Sequence, residues 1–214
     1  DLVLNSHGCA SFRITSQWGN GSCTLTVPGK HMASNAAAAV LVGALCGVSV
    51  ADALRAVEHT EMSPMRMQVH ALANGVLLDD SYNASPEATS AALQTLVHFA
   101  QERGGEAWAF LGKMHELGES SDQDHAAIGT LASELGIDHL VCVAAPEYAQ
   151  AIPTDSATTV HTFASKEEAA SMVASMNKGD VVLVKASRSE KLEELAEMIA
   201  QAWSERIQGM AETE

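Results

Sequence analysis

Three short polar stretches hold side chains whose types and spacing could do chemistry. Asp79-Asp80-Ser81-Tyr82-Asn83 gathers two carboxylates, a hydroxyl, a phenol and an amide within five residues. That is more polar chemistry than a plain turn needs, although an Asn/Asp turn leading into a capped helix is a second reading of the same residues. Lys185-Ala186-Ser187-Arg188-Ser189 brings a guanidinium, two hydroxyls and backbone N–H groups to one place. Such a set suits a carboxylate, because Arg engages both oxygens in parallel; a structural cap with a surface Arg is the alternative. His31 and Asn35 are four residues apart, on one face of a helix at its N-terminus, where a nucleotide can approach. A capping His and a packing Asn would give the same pattern.

The elements around these stretches explain how they are presented. Gly75-Val-Leu-Leu78 reads as a short buried strand. After it Ser85 is a natural N-cap, Pro86 suits the first helical position and Glu87 complements the helix dipole. Ala88, Ala92, Leu96 and Phe99 then recur at helical spacing, so the acidic turn lies at the carboxyl edge of a strand, where open parallel sheets bind ligands. Val181–Val184 precedes the Lys185 stretch in the same way, and Ser187-Arg188-Ser189-Glu190 has the form of a capping box.

From Arg66 onwards the pattern alternates. Strands are predicted at 67–72, 75–79, 107–111, 139–143, 158–162 and 180–184, and helices at 86–103, 121–135, 145–151, 165–176 and 189–203. Leu140–Val143 and Val181–Val184 are unbroken apolar runs, as strands covered on both faces require. Gly136 and Gly179 fall where helix C-caps belong, and the acidic tail after Trp203 is expected to fray. This predicts an α/β fold, a doubly wound domain over residues 67–214. Glu61-Met62-Ser63-Pro64-Met65 breaks the helical pattern and behaves as a linker, bounded as residues 63–66 between the two domains. Residues 1–62 read as strands at 2–4, 9–17 and 24–27, a turn at Asn20-Gly21, a helix through Cys46 and a second from Ser49 to about His59. That is a poor stand-alone domain, and it is expected to be the tail end of one.

Composition narrows the partners. The 214 residues carry 12 Lys+Arg against 27 Asp+Glu, a formal charge of −15. Such a chain repels phosphate backbones and anionic lipid, so neither nucleic acid nor membrane is an expected partner. A bound phosphate would have to be held locally, by helix N-termini, a few cations or Mg²⁺. No apolar run reaches the length of a membrane span, and a cytoplasmic location is expected. Cys9, Cys23, Cys46 and Cys142 show no zinc spacing; free thiols are expected, with a Cys9–Cys23 pair across a hairpin as the alternative.

Asp79-Asp80-Ser81-Tyr82-Asn83-Ala84-x-Pro86 resembles the signature that opens the C-terminal domain of the Mur ligases, which build the peptidoglycan peptide. Three further segments resemble the same family in the same order. Gly29–Ala39 is similar to G-x-H-N-x-x-N-x-x-A-A, with Met32 in place of the first Asn. Leu111–Gly118 is similar to L-G-D-M-x-E-L-G, with Lys113 in place of the acid. Leu183–Ser189 is similar to L-V-K-G-S-R-S, with Ala186 for Gly. His125 matches a His that commonly follows the second of these. Asp122, Asp124 and His125 crowd one helical turn, either as metal ligands or as a solvated first turn.

The resemblance implies a Rossmann-like C-terminal domain preceded by the tail of the central ATP-binding domain. Members adding D-alanyl-D-alanine to UDP-N-acetylmuramoyl-tripeptide fit best; folylpolyglutamate-type relatives and a non-catalytic binding module are the alternatives. It implies that His31, Asn35, Arg66, Asp80 and Asn83 serve ATP, Asp80 at the ribose and Arg66 at the phosphates. Met65 stands where the family usually has Gly. Lys185, Ser187 and Arg188 are implied to hold the dipeptide. No G-x-x-x-x-G-K-[ST] occurs. ATP and Mg²⁺ are thus expected to be bound mainly by upstream domains of the same enzyme, with no catalytic residue and no metal ligand in these 214 residues and no activity from them alone.

Overall fold

The computed structural model describes residues 2–60 and 63–211, with the side chains of 207–211 excepted. The chain divides into two compact units between Ser63 and Pro64. Glu61 and Met62, part of the predicted linker, lie outside the described residues.

In the first unit β1 (Leu2–Leu4), β2 (Cys9–Ser16) and β3 (Gly19–Pro28) form an antiparallel sheet, followed by α1 (His31–Leu45) and α2 (Val50–Glu58). Ala10, Phe12, Cys23 and Leu25 of the strands pack against Ala33, Ala36, Val40, Val50 and Leu54 of the helices. The hairpin does not turn at Asn20-Gly21. Ser16 pairs with Gly19 and Thr15 with Asn20, so Gln17 and Trp18 form the turn. The Ser16 hydroxyl closes it, donating to the Gly19 carbonyl and accepting from the Trp18 N–H. Gly21 is needed for packing instead: a Cβ there would meet Leu54 Cδ1 at 2.4 Å. Cys9 and Cys23 do not face each other, since Cys23 is opposite Phe12 and Cys9 opposite Pro28. All four thiols are free.

The second unit is a mixed α/β layer structure. Its six-stranded sheet has the order β4-β5-β9-β6-β7-β8, with β4 (Gln68–Ala71), β5 (Val76–Asp80), β6 (Ala107–Leu111), β7 (His139–Val143), β8 (Thr159–Phe163) and β9 (Val181–Lys185). Only the edge strand β4 runs antiparallel. On one face lie α3 (Pro86–Arg103) and α4 (Ser121–Glu134), burying Leu93, Leu96, Phe99, Ile128 and Ala132 against Leu78, Ala109, Leu140 and Leu183. On the other lie α5 (Lys166–Ala170) and α6 (Glu193–Ala211), burying Ala169, Leu195 and Ile199 against Leu77, Phe110, Val141, Val182 and Val184. Neighbouring residues such as Leu77 and Leu78 therefore face opposite layers, which accounts for the unbroken apolar runs.

The helices and their ends depart from expectation in several places. Residues 145–151 form only a 3₁₀ turn, Pro146–Ala149, and α5 passes into another, Ser171–Ser175. Gly179 caps no helix; it takes φ 99° in a turn that packs on Gly105, and Gly105 permits that approach, since a Cβ on Gly105 would meet the Gly179 carbonyl carbon at 2.2 Å. No capping box forms at Ser187. The Ser187 hydroxyl accepts from His115 N–H instead, Arg188–Glu190 is a 3₁₀ turn, and Lys191 at φ 52° breaks the chain before α6. Helix α6 is seated on the sheet by Leu195, Ile199 and Trp203 and extends to Ala211; the end of the acidic tail, residues 212–214, lies outside the described residues.

Candidate functional site

The chain leaving β9 turns to one face of the sheet, while the chains leaving its neighbours β5 and β6 turn to the other. This opens a crevice at the carboxyl ends of three adjacent strands, as in other doubly wound sheets. The cleft measures about 590 Å³ and is lined by Asn83, Ala84 and Ser85 after β5, His115, Glu116 and Leu117 after β6, and Ser187, Arg188 and Ser189 after β9.

Its floor is built from the strand ends outward. Asp80, Lys185 and Leu111 are in register across β5, β9 and β6. Lys185 is 2% exposed; its ammonium donates to Asp80 Oδ2 at 2.5 Å and to the Asn83 carbonyl at 2.8 Å. The other oxygen of Asp80 accepts from Met67 N–H at 2.9 Å. Lys185 thus ties the Asn83 turn down from beneath and does not line the cleft. Asp79, also buried, accepts from both the Ser81 hydroxyl and its N–H. Ser85 caps α3 through Ala88 N–H, with Pro86 in the first turn.

The β6 and β9 loops are stitched together beyond the sheet. Gly112 N–H donates to the Lys185 carbonyl, Ser187 N–H to the Lys113 carbonyl and His115 N–H to Ser187 Oγ, each within 3.0 Å. His125 holds this loop from within: its Nε2 accepts from Met114 N–H, which makes its Nδ1 the donor to the Ser121 carbonyl at 2.6 Å. Both ring nitrogens are thereby used, so the metal reading of Asp122, Asp124 and His125 fails. The buried Tyr148 hydroxyl donates to the Gly112 carbonyl, and burial pushes that phenol above its ordinary range. Lys113, the residue in place of the family's acid, lies 3.8 Å from Glu147.

Arg66 sits with its guanidinium 4.2 Å above the Tyr82 ring, and Tyr82 N–H donates to the Met65 carbonyl. Met65 has φ 60°, the left-handed backbone that favours the Gly usual there in the family. The structure therefore brings Arg66, Asp80, Asn83, Lys185, Ser187 and Arg188 into one unit at one sheet edge. His31 and Asn35 belong to the other unit. There, Gly29 at φ 115° makes room for the His31 ring, which would lie 2.6 Å from a Cβ, and Asn35 Nδ2 donates to Met32 Sδ. Leu25, Met32, Asn35 and Val57 line a small, mostly apolar hollow of about 220 Å³.

Residues 65–188, more than half of the chain, match the family described as "Mur ligase, glutamate ligase domain". The chain belongs to the Mur ligase family. Over 194 residues it is 37% identical to the UDP-N-acetylmuramoyl-tripeptide–D-alanyl-D-alanine ligase of Mycobacterium leprae, a match covering 82% of this chain and 38% of that protein. Its fold is similar to the crystal structure of MurF from Acinetobacter baumannii, with TM-score 0.81 and 28% identity over 93% of this chain and 44% of that one. It is similar also to MurF from Thermotoga maritima in complex with ADP, with TM-score 0.79 and 25% identity over 96% of this chain and 46% of that one. This Mur ligase chain thus spans about two-fifths of the length of the relatives it matches.

Four residues that line or support the Mur ligase cleft escaped the sequence reading: His115 in its wall, and Tyr148, Glu190 and Glu193, which hold the loops around it. His115 occupies the unspecified position of its motif, and nothing local marks it. Glu190 reads locally as a capping partner, yet its carboxylate lies 2.5 Å from His115 Nε2. Glu193 pairs with Arg188 across the left-handed Lys191, a separation that no helical spacing rule picks out.

Proposed function

We propose that this chain is the C-terminal portion of an ATP-dependent ligase that joins D-alanyl-D-alanine to UDP-N-acetylmuramoyl-tripeptide in peptidoglycan synthesis. The supporting observation is the cleft at the β5-β9-β6 edge, where Ser187 and Arg188 of the β9 loop line the same space as the Asn83 turn. A small zwitterionic dipeptide needs a cation for its carboxylate and neutral acceptors for its amine, and those are the groups at hand. In the whole enzyme the tripeptide carboxylate would be activated by ATP as an acyl phosphate, and the dipeptide amine would displace the phosphate.

Residues 1–62 are on this reading the end of the central ATP-binding domain, and residues 67–214 the C-terminal domain. The outward side of α1 supports it: Leu41, Val42 and Leu45 are exposed, so this helix is apolar all round, like one buried between layers. His31 and Asn35 would meet the base, while Arg66 and Asp80 would meet phosphate and ribose. Asp80 already accepts from Lys185 and Met67, so a ribose hydroxyl would be a further donor to a carboxylate with capacity for about four. On this reading Mg²⁺ would be held mainly by the upstream part of the enzyme together with the ATP phosphates. No helix among the described residues is long and apolar enough to cross a membrane.

Titration with D-alanyl-D-alanine, with and without ATP and Mg²⁺, tests this reading through backbone amide shifts. Perturbations focused on residues 83–85, 115–117 and 187–189 are expected; shifts confined to other parts of the chain would sink it.

A further inference from the structure

Two basic side chains of the cleft, the His115 imidazole and the Arg188 guanidinium, are held from one short segment. His115 is paired with Glu190, and Arg188 Nη1 with Glu193 Oε1. Lys191, in the left-handed conformation at φ 52°, separates the 3₁₀ turn carrying Glu190 from α6, which begins at Glu193. The two carboxylates can therefore serve different partners, as they could not one turn apart on a continuous helix.

A guanidinium has five N–H donors. Arg188 directs Nη1 to Glu193 and to Met65 Sδ, 3.8 Å away. Its Nε and Nη2 have no protein acceptor among the described residues, and the side chain is 53% exposed beside the cleft. Nε and Nη2 form the edge that binds a carboxylate with two parallel hydrogen bonds. Glu193 itself is not placed for its own solvation: its Oε2 is buried with no partner among the described residues, a costly position for a carboxylate oxygen.

We infer that Glu193 is a positioning residue for Arg188, anchoring Nη1 so that the Nε/Nη2 edge is held ready for the terminal carboxylate of the ligand. This rests on reading the cleft as the dipeptide site. Fixing the long Arg side chain in advance removes an ordering cost that binding would otherwise carry.

Guanidinium ¹⁵N spectra of the chain, together with titrations of D-alanyl-D-alanine and its C-terminal amide, test the inference. Wild type should show slow rotation of the Arg188 guanidinium and prefer the free acid. Glu193→Ala should free that rotation and weaken the free acid by about tenfold, the loss of one charged hydrogen bond's worth of order, while leaving the amide unchanged. Glu193→Gln, which keeps an acceptor, should recover most of the affinity. If Glu193→Ala rotates and binds like wild type while Arg188→Ala loses the free acid, the role of Glu193 is overturned and the cleft reading stands. If wild type does not distinguish acid from amide, the cleft reading falls and takes this inference with it.

Discussion

Asp80 and Lys185 illustrate how one residue can be asked to do two things. Their ion pair is nearly closed to solvent, so truncating one partner strands the other charge. Asp80→Ala should lower stability by about 3 kcal/mol in urea denaturation, and Asp80→Ala with Lys185→Met should recover most of that loss. Without the double variant, a damaged nucleotide site in Asp80→Ala could not be told from a damaged fold. Met65 and Met67 make a second contrast at this scale, since both have left-handed backbones but only Met67 is buried in the core. Met65→Gly relieves the strained conformation and should gain up to about 1 kcal/mol. Met67→Gly relieves the same strain but empties a core position, and should lose about 2 kcal/mol, measured by the same denaturation.

At the scale of elements, the amino-terminal side of the sheet has a titratable cluster remote from the cleft. Trp108 of β6 stacks on His139 of β7 at 3.7 Å, and His139 Nδ1 lies 3.3 Å from His161 Nε2 on β8. Glu106 flanks the far nitrogen of His139. Burial, and then the neighbouring His139 ring, lower the pKa of His161 below its ordinary value of 6.5. The folded state thus prefers His161 neutral. Its contribution to stability is full above the unfolded pKa and is lost as pH falls through it toward the lower folded value. The melting temperature should drop between pH 7.5 and 5.5, and His161→Phe should flatten that part of the profile. An equal drop in the variant would assign the pH dependence to other groups. The thiol of Cys142 on β7, pushed up to about 12 by burial, should resist alkylation in the native state while the exposed Cys46 reacts.

For the whole molecule, the two units differ in how self-sufficient they are. Residues 64–214 bury two apolar layers, one on each face of a six-stranded sheet. Residues 2–60 have one small core and leave the outer side of α1 uncovered. A chain beginning at Pro64 should fold alone with a cooperative melt, and the intact chain should show an earlier transition for the first unit in calorimetry. A single shared transition at all scan rates would refute that independence. The same division separates the residues implied for the nucleotide: Arg66, Asp80 and Asn83 lie on one unit, His31 and Asn35 on the other.

Local chemistry alone determined much of this protein. Short apolar runs located β5, β6, β7 and β9 to within a residue, and Ser85-Pro86 marked the start of α3, because burial and capping act over a few neighbouring residues. The Asp79–Asn83 and Lys185–Ser189 stretches were legible as polar exceptions at strand ends, and their order along the chain marked the family. The tertiary structure decided what no local rule contains. It set β9 between β5 and β6, which placed Lys185 under Asp80 and carried two stretches 105 residues apart into one cleft. It set the hairpin register so that the turn falls at Gln17-Trp18 and Gly21 lies under Leu54 of α2 instead. It took the Ser187 hydroxyl away from a capping box by offering His115 N–H as a better-placed donor. In each case a group with one local partner available found a non-local one, and a pairing between distant segments is written only in the packed chain.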